Sequence, residues 1–259
     1  MAEARLPISV CLIAGREAGR IRRALGSVAG WTAEIIVVLN DDVDDGTDRI
    51  AAELGAKVFR EPWKGHIAQK NSAAEKATQP WLLGLDADEE ISPALRDEIT
   101  RALAEPGDYA AFSFPRCTQF CGRWIRHGDW YPDRQTRLWR RGTAEWGGVN
   151  PHDKLIVRGP VGHLRSDLLH DNAETIDRQI AKMCSYSEDF LRDALARGRT
   201  ANWFDLAARP AWRFARTYFF RLGFFDGWQG IYIAWMAAFY TATRYVKLRA
   251  APNQGPKPH

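Results

Sequence analysis

Short apolar runs alternate with helix-patterned segments through the N-terminal third of the chain, and this alternation restricts the fold more than any other feature. The apolar runs read as buried strands because each is short and is bounded by polar or turn-forming residues. They are ISVCLIA (8–14), EIIVVL (34–39), AKVF (56–59) and WLLGL (81–85). Ser92-Pro93 marks the start of a further helix. Strands joined through helices pair in parallel, so an α/β fold with a mostly parallel sheet and helices on both faces is predicted.

Acidic residues follow two of these strands. NDDVDD (40–45) comes after the second strand and DADEE (86–90) after the fourth. Packed carboxylates repel one another, and burying them unpaired is costly, so a protein cation or a bound metal ion should lie beside them. Because ligands of open α/β sheets bind outside the carboxyl ends of the strands, both clusters are predicted to face one cleft.

Composition removes several classes of protein. The 259-residue chain is 46% hydrophobic and 26% charged, which is typical of a folded globular protein, and its net charge of +4 does not argue for a nucleic acid partner. Neither G-x-G-x-x-G nor G-x-x-x-x-G-K-[ST] occurs, which disfavours dinucleotide oxidoreductases and P-loop NTPases. The N-terminus has no apolar core of a signal peptide, and no apolar run reaches the length of a membrane span. The four cysteines do not form the two close pairs of a zinc site. Free thiols and a cytoplasmic location are expected.

The sequence Asp86-Ala87-Asp88, at the end of an apolar strand, suits a hard divalent cation. Mg²⁺ and Mn²⁺ take oxygen ligands and share them with substrate phosphates. Asp88 is predicted to bind the metal ion directly, with Asp86 reaching either a ribose or a metal-bound water. Such an ion would neutralise the charge that develops on a departing diphosphate. A solvated turn is the alternative; the preceding strand and the following Ser-Pro helix start favour the functional interpretation.

Four longer stretches of the chain carry a family resemblance. They are ISVCLIA…RALGSVAGWTAEIIVV…DGT, QKNSAAEKATQPWLLGLDADE, GRWIRHGDWYPDRQTRLWRRG and LGFFDGWQGIYIAWMAAFYT. From residue 8 to about residue 248, the chain resembles inverting glycosyltransferases of family two. The N-terminal motifs are combined with the C-terminal LGFFDGW. In this combination the chain is most similar to the branch of lipopolysaccharide inner-core heptose β-1,4-glucosyltransferases.

The resemblance implies a GT-A-type fold, a nucleotide-diphosphate sugar donor with UDP-glucose as first candidate, and a divalent metal ion, Mn²⁺ or Mg²⁺. Asp86 and Asp88 match the D-x-D of the family. Lys70, in QKN, matches a basic position near the donor base and phosphates. A lysine there makes independent sense as a charge partner for a diphosphate. The alternative for Lys70 is an exposed helix lysine.

One position departs from the family pattern. The second strand is usually followed by Asp and then Ser-Gly-Ser, where this chain has Asn40-Asp41-Asp42. A carboxylate there would accept the uracil N3–H. Either Asn40 accepts it through its amide oxygen or Asp41 takes over, and the donor base stays open. Asp44 and Asp45 have an ordinary explanation in the turn and the helix start.

An inverting transfer needs a general base for the acceptor hydroxyl. Asp153 is the first candidate, because the family tends to carry His followed by an acid here; Asp133 is the second, and Asp129 is also available. A salt bridge to Arg137 or a neighbouring arginine is the alternative for Asp133. His170 follows a short strand and is predicted to complete the metal or phosphate shell, with a structural histidine as the alternative.

Residues 203–248 interleave arginines with aromatic side chains, as in an amphipathic helix at a membrane interface. The predicted division is a GT-A domain at 1–200, this basic aromatic helical segment at 201–250 and a disordered tail at 251–259. A lipid-linked oligosaccharide acceptor at an anionic membrane surface would explain the segment and place the protein peripherally on the inner face of the cytoplasmic membrane. The alternative is a helical hairpin packed on the catalytic domain or on a second protomer of a homo-oligomer.

The leading hypothesis is a metal-dependent inverting glycosyltransferase that transfers a hexose, first of all glucose from UDP-glucose, to a lipopolysaccharide inner-core heptose. Among enzymes, the alternative uses another sugar donor or another glycan or protein acceptor. A non-catalytic nucleotide-sugar-binding membrane scaffold is the alternative from a different class, because Asn40 departs from the family pattern. Slow hydrolysis of the donor in the absence of acceptor would distinguish an enzyme from a scaffold.

Overall fold

The computed structural model describes residues 5–149, 152–171 and 175–251. The chain divides into two compact units, Met1–Cys117 with Asp133–Asn172, and Thr118–Pro132 with Ala173–His259. The predicted boundary at residue 200 lies within the second unit. The predicted tail at 251–259 lies outside the described residues from residue 252 onwards.

A sheet that runs β3-β2-β1-β4-β8-β6-β12-β5 forms the centre of the first unit. The strands are β1 (Leu6–Ala14), β2 (Thr32–Asn40), β3 (Lys57–Glu61), β4 (Trp81–Leu85), β5 (Glu89–Ile91), β6 (Ala111–Phe120), β7 (Arg123–Trp124), β8 (Asp133–Arg140), β9 (Ala144–Val149), β10 (His152–Val157), β11 (Val161–His163) and β12 (Leu168–His170). The four predicted strands, β1 to β4, pair in parallel. Beyond β4 the pairing becomes antiparallel, through β8 and β6. The predicted α/β fold is confirmed, with antiparallel strands added to the parallel ones.

Both faces of β1, β2 and β4 are buried, which is why these strands are apolar at almost every position, whereas β3 lies at the edge of the sheet and carries three charged residues. Val37 and Leu39 enter one core, whereas Ile36 and Val38 enter the other. The helices are α1 (Ile21–Gly26), α2 (Thr47–Glu53), α3 (His66–Glu75) and α4 (Pro93–Ala104). Residues of α1, α2 and α4 pack in the first core and Ala73 of α3 in the second. Ser92 caps α4 as predicted, since its Oγ accepts from the Leu95 N–H at 3.2 Å.

Glu34 of β2 is a buried carboxylate that is held by hydrogen bonds. It is 7% exposed and accepts from Lys57 Nζ at 2.8 Å and from the Thr78 N–H at 2.9 Å. Ser9 Oγ also donates to it. Burial alone would raise the pKa of Glu34, but the contacts with Lys57, Ser9 and Thr78 outweigh burial and lower the pKa from 4.5 to about 2.

This carboxylate should make folding stability depend on acid pH. A pKa that is lower in the folded state gives a stabilisation present above pH 4.5 and lost as the pH falls towards about 2. The lost free energy is about 3 kcal/mol. We expect Glu34→Gln to lower the free energy of unfolding at pH 7 by about 2–3 kcal/mol and to flatten its change across this window. Urea titrations over the window test this; a variant with the wild-type pH dependence would contradict it.

The second unit is mainly helical. It contains α5 (Ile176–Ala196), α6 (Trp203–Ala215) and α7 (Gly227–Ala250), with a π-helical turn over Arg216–Phe220 and a 3₁₀ turn over Gly223–Asp226. A further 3₁₀ turn covers Gly128–Trp130. None of the helices within the described residues combines the length and the apolar character needed to cross a bilayer.

Asp226 joins two parts of the second unit that are far apart in sequence. Its carboxylate is 3% exposed and accepts from the backbone N–H groups of Arg126 and His127 and contacts His127 Nδ1. The backbones of Gly223 and Gly230 also approach each other closely on either side of Asp226. A Cβ on Gly230 would lie 1.9 Å from the carbonyl oxygen of Gly223. The C-terminal LGFFDGWQG stretch therefore fixes the loop that contains HGDW.

Candidate functional site

A cavity of about 460 Å³ lies at the carboxyl ends of β1, β2 and β4, the edge at which the sequence predicted a cleft. This volume is within the range of small-molecule sites. The predicted site residues that line it are Asn40, Lys70, Asp86, Asp88, Asp153 and His170. Of the residues described, Asp41 and Asp133 do not line it. One crevice thus brings together side chains from α3, the strand ends, β10 and β12.

Lys70 lies between two carboxylates of this cavity. Its Nζ is 3.0 Å from Asp86 Oδ1 and 2.9 Å from Asp153 Oδ2, and the residue is only 9% exposed. The ammonium group also lies 4.6 Å from the ring centroid of Trp146. Lys70 is therefore a buried, oriented cation and not an exposed helix lysine.

The QKN sequence positions this lysine through its neighbour. Asn71 Nδ2 donates to the Trp146 carbonyl at 2.9 Å, and the Trp146 N–H donates to Asn71 Oδ1 at 2.8 Å. This pair ties α3 to the β9–β10 hairpin. Because Asp153 lies opposite Gly148 in that hairpin, the same contact brings Asp153 to Lys70.

Arg137 is the second cation on Asp86, a role that was not predicted for it. Its NH2 nitrogen lies 2.7 Å from Asp86 Oδ2 and 3.2 Å from Glu89 Oε1. Arg137 is 5% exposed and Glu89 is 1% exposed. Burial opposes ionisation of Asp86, but the charges of Arg137 and Lys70 outweigh it and hold the pKa of Asp86 well below its usual range. Asp86 is thus an ionised acceptor for two cations.

Asp88 faces a different set of partners. Its Oδ2 lies 3.5 Å from His170 Nε2 and 3.8 Å from an Arg20 nitrogen. Antiparallel pairing of β5 with β12 places His170 opposite Glu89, and the Asp171 N–H donates to the Asp88 carbonyl at 2.9 Å. This backbone register brings a carboxylate and an imidazole to the cavity wall.

Asp88 and His170 fit a metal ion that is also held by a substrate diphosphate. Carboxylate oxygen and imidazole nitrogen are both accepted by Mn²⁺, and Mg²⁺ is commonly held by one or two carboxylates with substrate phosphates. Within the described part of the chain, no three His, Cys, Asp or Glu side chains gather as a complete ligand set. A phosphate-completed site needs fewer protein ligands. Because Asp86 already contacts Lys70 and Arg137, its side chain is the weaker candidate for direct coordination.

Asn40 lies at the cavity wall, at the end of β2. Its Oδ1 is buried and has no hydrogen-bond partner among the described residues. Asp41 is exposed, with its N–H donating to the Glu61 carbonyl. Asp45 accepts from the N–H and hydroxyl of Thr47 at the start of α2, as the helix-start explanation expected. Asn40 is therefore better placed than Asp41 to meet a ligand in the cavity.

The other candidate bases have arginine partners. Asp133 Oδ2 lies 2.6 Å from Arg116, which is a neighbouring arginine and not Arg137. Asp129 belongs to the second unit and lies beside Arg213, Arg216 and Arg221. Asp153 is the candidate base that lies at the cavity.

Trp63 and His66 line the same cavity and were not predicted. Their rings meet edge to face with centroids 4.9 Å apart, and Trp63 is 49% exposed. Both follow the carboxyl end of β3, which is the signal that could have identified them. They give the crevice an aromatic wall.

Several known proteins similar to this chain are glycosyltransferases. Residues 9–165 match the model of the family described as Glycosyl transferase family 2. An uncharacterized glycosyltransferase of Rickettsia prowazekii, RP128, is 30% identical over 93% of this chain and 86% of its own length. The lipopolysaccharide core biosynthesis glycosyltransferase LpsC of Rhizobium meliloti is 27% identical over 96% of both proteins.

Solved structures show the same architecture. The mannosyltransferase PcManGT of Pyrobaculum calidifontis, in complex with GDP-Man and Mn²⁺, superposes with a TM-score of 0.56 at 13% identity, covering 95% of this chain and 88% of its own. S. aureus TarS 1–349 in complex with UDP-GlcNAc gives 0.51 at 13% identity, covering 94% and 90%. These likenesses concern the fold, and they confirm the predicted GT-A type. The chain belongs to glycosyl transferase family 2 and is a glycosyltransferase with a GT-A fold.

Proposed function

We propose that this protein is a metal-dependent inverting glycosyltransferase that transfers a hexose, with UDP-glucose as first candidate donor, to a heptose of the lipopolysaccharide inner core. The observation that carries the proposal is the cavity in which Lys70 lies between Asp86 and Asp153, with Asp88 beside His170. The similarity to LpsC along 96% of both chains supports the acceptor class. The UDP-GlcNAc bound by TarS and the GDP-Man and Mn²⁺ bound by PcManGT support a nucleotide-sugar donor and a metal ion.

The donor diphosphate would lie among the charged groups of the cavity. Asp88 and His170 would hold the metal ion, which supplies positive charge to the leaving diphosphate. Lys70 adds a positive charge whose position is fixed. Its Nζ contacts Asp86, and Asn71 anchors the helix that carries it. Arg137 holds the opposite oxygen of Asp86 and so keeps that carboxylate oriented.

Asp153 acts as the general base in this proposal. The acceptor oxygen forms a bond to the anomeric carbon while the bond from that carbon to the diphosphate oxygen breaks. Asp153 takes the proton from the acceptor hydroxyl, and attack opposite the leaving group inverts the anomeric configuration. Before donor binding, Lys70 contacts Asp153 at 2.9 Å; a bound diphosphate would offer Lys70 a competing anionic partner.

Asn40 and the aromatic wall would bind the donor base. The unpaired Oδ1 of Asn40 is an acceptor of the kind that uracil N3–H requires. Trp63 and His66 offer ring surface nearby. The proposal therefore keeps a uridine donor despite the departure from Asp at position 40.

A peripheral position on the inner face of the cytoplasmic membrane completes the proposal. The second unit exposes large aromatic side chains, including Trp203 at 73% and Phe220 at 70%. Aromatic rings beside arginines bind at the boundary between water and lipid. A lipid-linked acceptor would be reached from this surface.

Calorimetric titration with UDP-glucose, with and without Mn²⁺, tests the donor site. We expect the wild type to bind only with the metal ion. Asp88→Asn should weaken binding in Mn²⁺ by at least about tenfold, because one metal ligand loses its charge. Circular dichroism should show an unchanged fold.

Asp97→Asn is the matched control, since Asp97 is an exposed acid of α4 whose side chain is 64% accessible. It should bind as the wild type does. Metal-independent binding, or full affinity in Asp88→Asn, would contradict the proposed metal ligand. Tight binding without any slow donor hydrolysis would instead favour the non-catalytic scaffold, and binding of another nucleotide sugar in place of UDP-glucose would favour the alternative donor.

A further inference from the structure

Three arginines of the second unit converge on one carboxylate. Asp129 lies in the 3₁₀ turn Gly128–Trp130, and its side chain is only 9% exposed. Arg213 approaches its Oδ2 to 2.9 Å, while Arg221 and Arg216 approach its Oδ1 to 3.4 Å and 3.6 Å. Thr217 Oγ1 donates to Oδ2 at 2.6 Å. The carboxylate therefore organises three guanidinium groups in a small volume.

The local backbone produces this convergence. Arg213, Arg216, Thr217 and Arg221 follow one another at helical spacing, which places them towards one side. The backbone is π-helical over Arg216–Phe220, and the Arg221 N–H donates to the Arg216 carbonyl at 2.8 Å. Gly128 has a φ of +71°, a backbone conformation that residues with a side chain rarely adopt, and it lies in van der Waals range of Thr217.

The cluster carries more positive than negative charge. Among the described residues, Asp129 is the acidic partner found for Arg213, Arg216 and Arg221. One carboxylate balances one of three cations, so two positive charges remain. The arginine side chains are 40%, 35% and 43% exposed, and a ligand can reach them from solvent. Guanidinium groups bind phosphate oxygens through paired N–H donors, so a phosphate is the anion that this geometry suits.

Exposed aromatic side chains surround the same segment. Between residues 212 and 228, those with more than half of their surface accessible are Trp212, Phe219, Phe220, Phe225 and Trp228. Ring contacts join Trp212 to Phe220 at 5.3 Å, and the less exposed Phe214 to Trp235 at 6.3 Å. An apolar groove of about 460 Å³ runs between α6 and α7 beside Phe214 and Phe239. An exposed apolar patch of this kind marks an interaction surface. A fully hydrophilic ligand would not cover it, so the partner must have an apolar part.

We propose that the Asp129–Arg213–Arg216–Arg221 cluster is a binding site for the phosphate group of a membrane lipid, whose apolar part contacts the aromatic surface. Cations set among aromatic rings match a phosphate headgroup at the boundary of the acyl region. The inference rests on the proposed function, because it supplies the membrane contact that a lipid-linked acceptor requires. It goes further by assigning a defined phosphate site in place of a general attraction to anionic lipid.

Vesicle binding by a charge-reduced variant tests the site. In Arg216→Gln/Arg221→Gln, Arg213 and Thr217 still contact Asp129, so the carboxylate keeps partners while the local charge falls from plus two to zero. We expect about 30-fold weaker binding to phosphatidylcholine vesicles that contain phosphatidic acid, since each arginine near an anionic surface contributes about fivefold. Circular dichroism and thermal unfolding verify that the variant is folded.

Arg178→Gln/Arg192→Gln is the matched control, because it removes the same charge from exposed positions of α5. Binding should fall less than about threefold in this variant. Equal losses in the two variants would mean general electrostatic attraction, and an unchanged affinity of the cluster variant would mean that the arginines do not bind lipid; either result overturns the site. Competition by inorganic phosphate that abolishes vesicle binding at low concentration would assign the cluster to a soluble phosphate and overturn the lipid.

Donor calorimetry on the same two variants separates this inference from the proposed function. The cluster lies in the second unit, whereas the donor cavity is lined by residues of the first. Both variants should therefore bind UDP-glucose and Mn²⁺ as the wild type does. A wild type that binds vesicles through the arginines but no nucleotide sugar would overturn the proposed donor and leave the phosphate site standing.

Discussion

Asp153→Asn is expected to lower kcat by about 10²–10⁴-fold, the range over which general-base catalysis usually contributes. An amide cannot take the proton of the acceptor hydroxyl at neutral pH. Donor affinity should stay equal or become slightly tighter, because Lys70 loses one of its two carboxylate partners and is freer to contact a diphosphate. Steady-state kinetics with a heptose-containing acceptor, together with donor calorimetry, measures both quantities.

Asp133→Asn supplies the matched control for the same chemical change. Asp133 is held by Arg116 and does not line the described cavity, so its substitution should change kcat by less than about tenfold. A large loss in Asp133→Asn with a small one in Asp153→Asn would exchange the roles of the two acids. A loss of donor affinity in Asp153→Asn, without a change in kcat, would make Asp153 a binding residue.

The parts of the fold that could be predicted are those specified by neighbouring residues. The strands β1, β2 and β4 are largely apolar runs, because both of their faces are buried. Each of β1, β2 and β3 is followed by a helix. The pairing of β8 with β4 and of β12 with β5 depends on contacts between residues far apart in sequence. No local periodicity encodes these registers, so the antiparallel half of the sheet was not predicted.

The candidate site shows the same limit. Carboxylates at strand ends identified Asp86 and Asp88, and the QKN sequence identified Lys70. The contacts of Arg137 and Arg116 with Glu89 were missed, because both arginines lie in strands whose pairing was unknown. One signal was present: Arg137 is followed directly by Leu138 and Trp139, both fully buried, and an arginine beside buried positions requires an acidic partner. Protein cations thus neutralise Asp86 and Glu89, which is one of the two possibilities that the sequence left open.

The C-terminal stretch illustrates what a resemblance can and cannot supply. LGFFDGW suggested a branch of the family, but not a physical role. The structure gives Asp226 one, as the acceptor for the N–H groups of Arg126 and His127. Such a contact spans about a hundred residues of sequence and could not be derived from spacing. The grouping of Asp129 with arginines of the same unit follows from it, since Asp226 fixes the loop that carries Asp129.

Arg137→Met is expected to destabilise the protein by about 3 kcal/mol, the cost of removing one cation from two buried carboxylates, although Asp86 keeps Lys70 and Glu89 keeps Arg116. Methionine fills a similar volume but returns no charge to Asp86 or to Glu89, whose side chain is completely buried. Arg137 also lowers the pKa of Asp86, so the ionised form of Asp86 is part of the folded-state stability that disappears. Urea unfolding at pH 7, followed by circular dichroism, measures the loss.

A double-mutant cycle identifies the cause of that loss. Glu89→Gln retains an oxygen for the Asp86 N–H, which donates to Glu89 at 3.0 Å, and removes one buried charge. If uncompensated charge is responsible, Arg137→Met/Glu89→Gln should be more stable than Arg137→Met alone by about 1–3 kcal/mol. Additive losses in the double variant would mean that Arg137 acts through packing against Trp146, whose ring centroid lies 5.3 Å from the guanidinium carbon. The ion pair would then be incidental to stability, and the low pKa of Asp86 would serve donor binding alone.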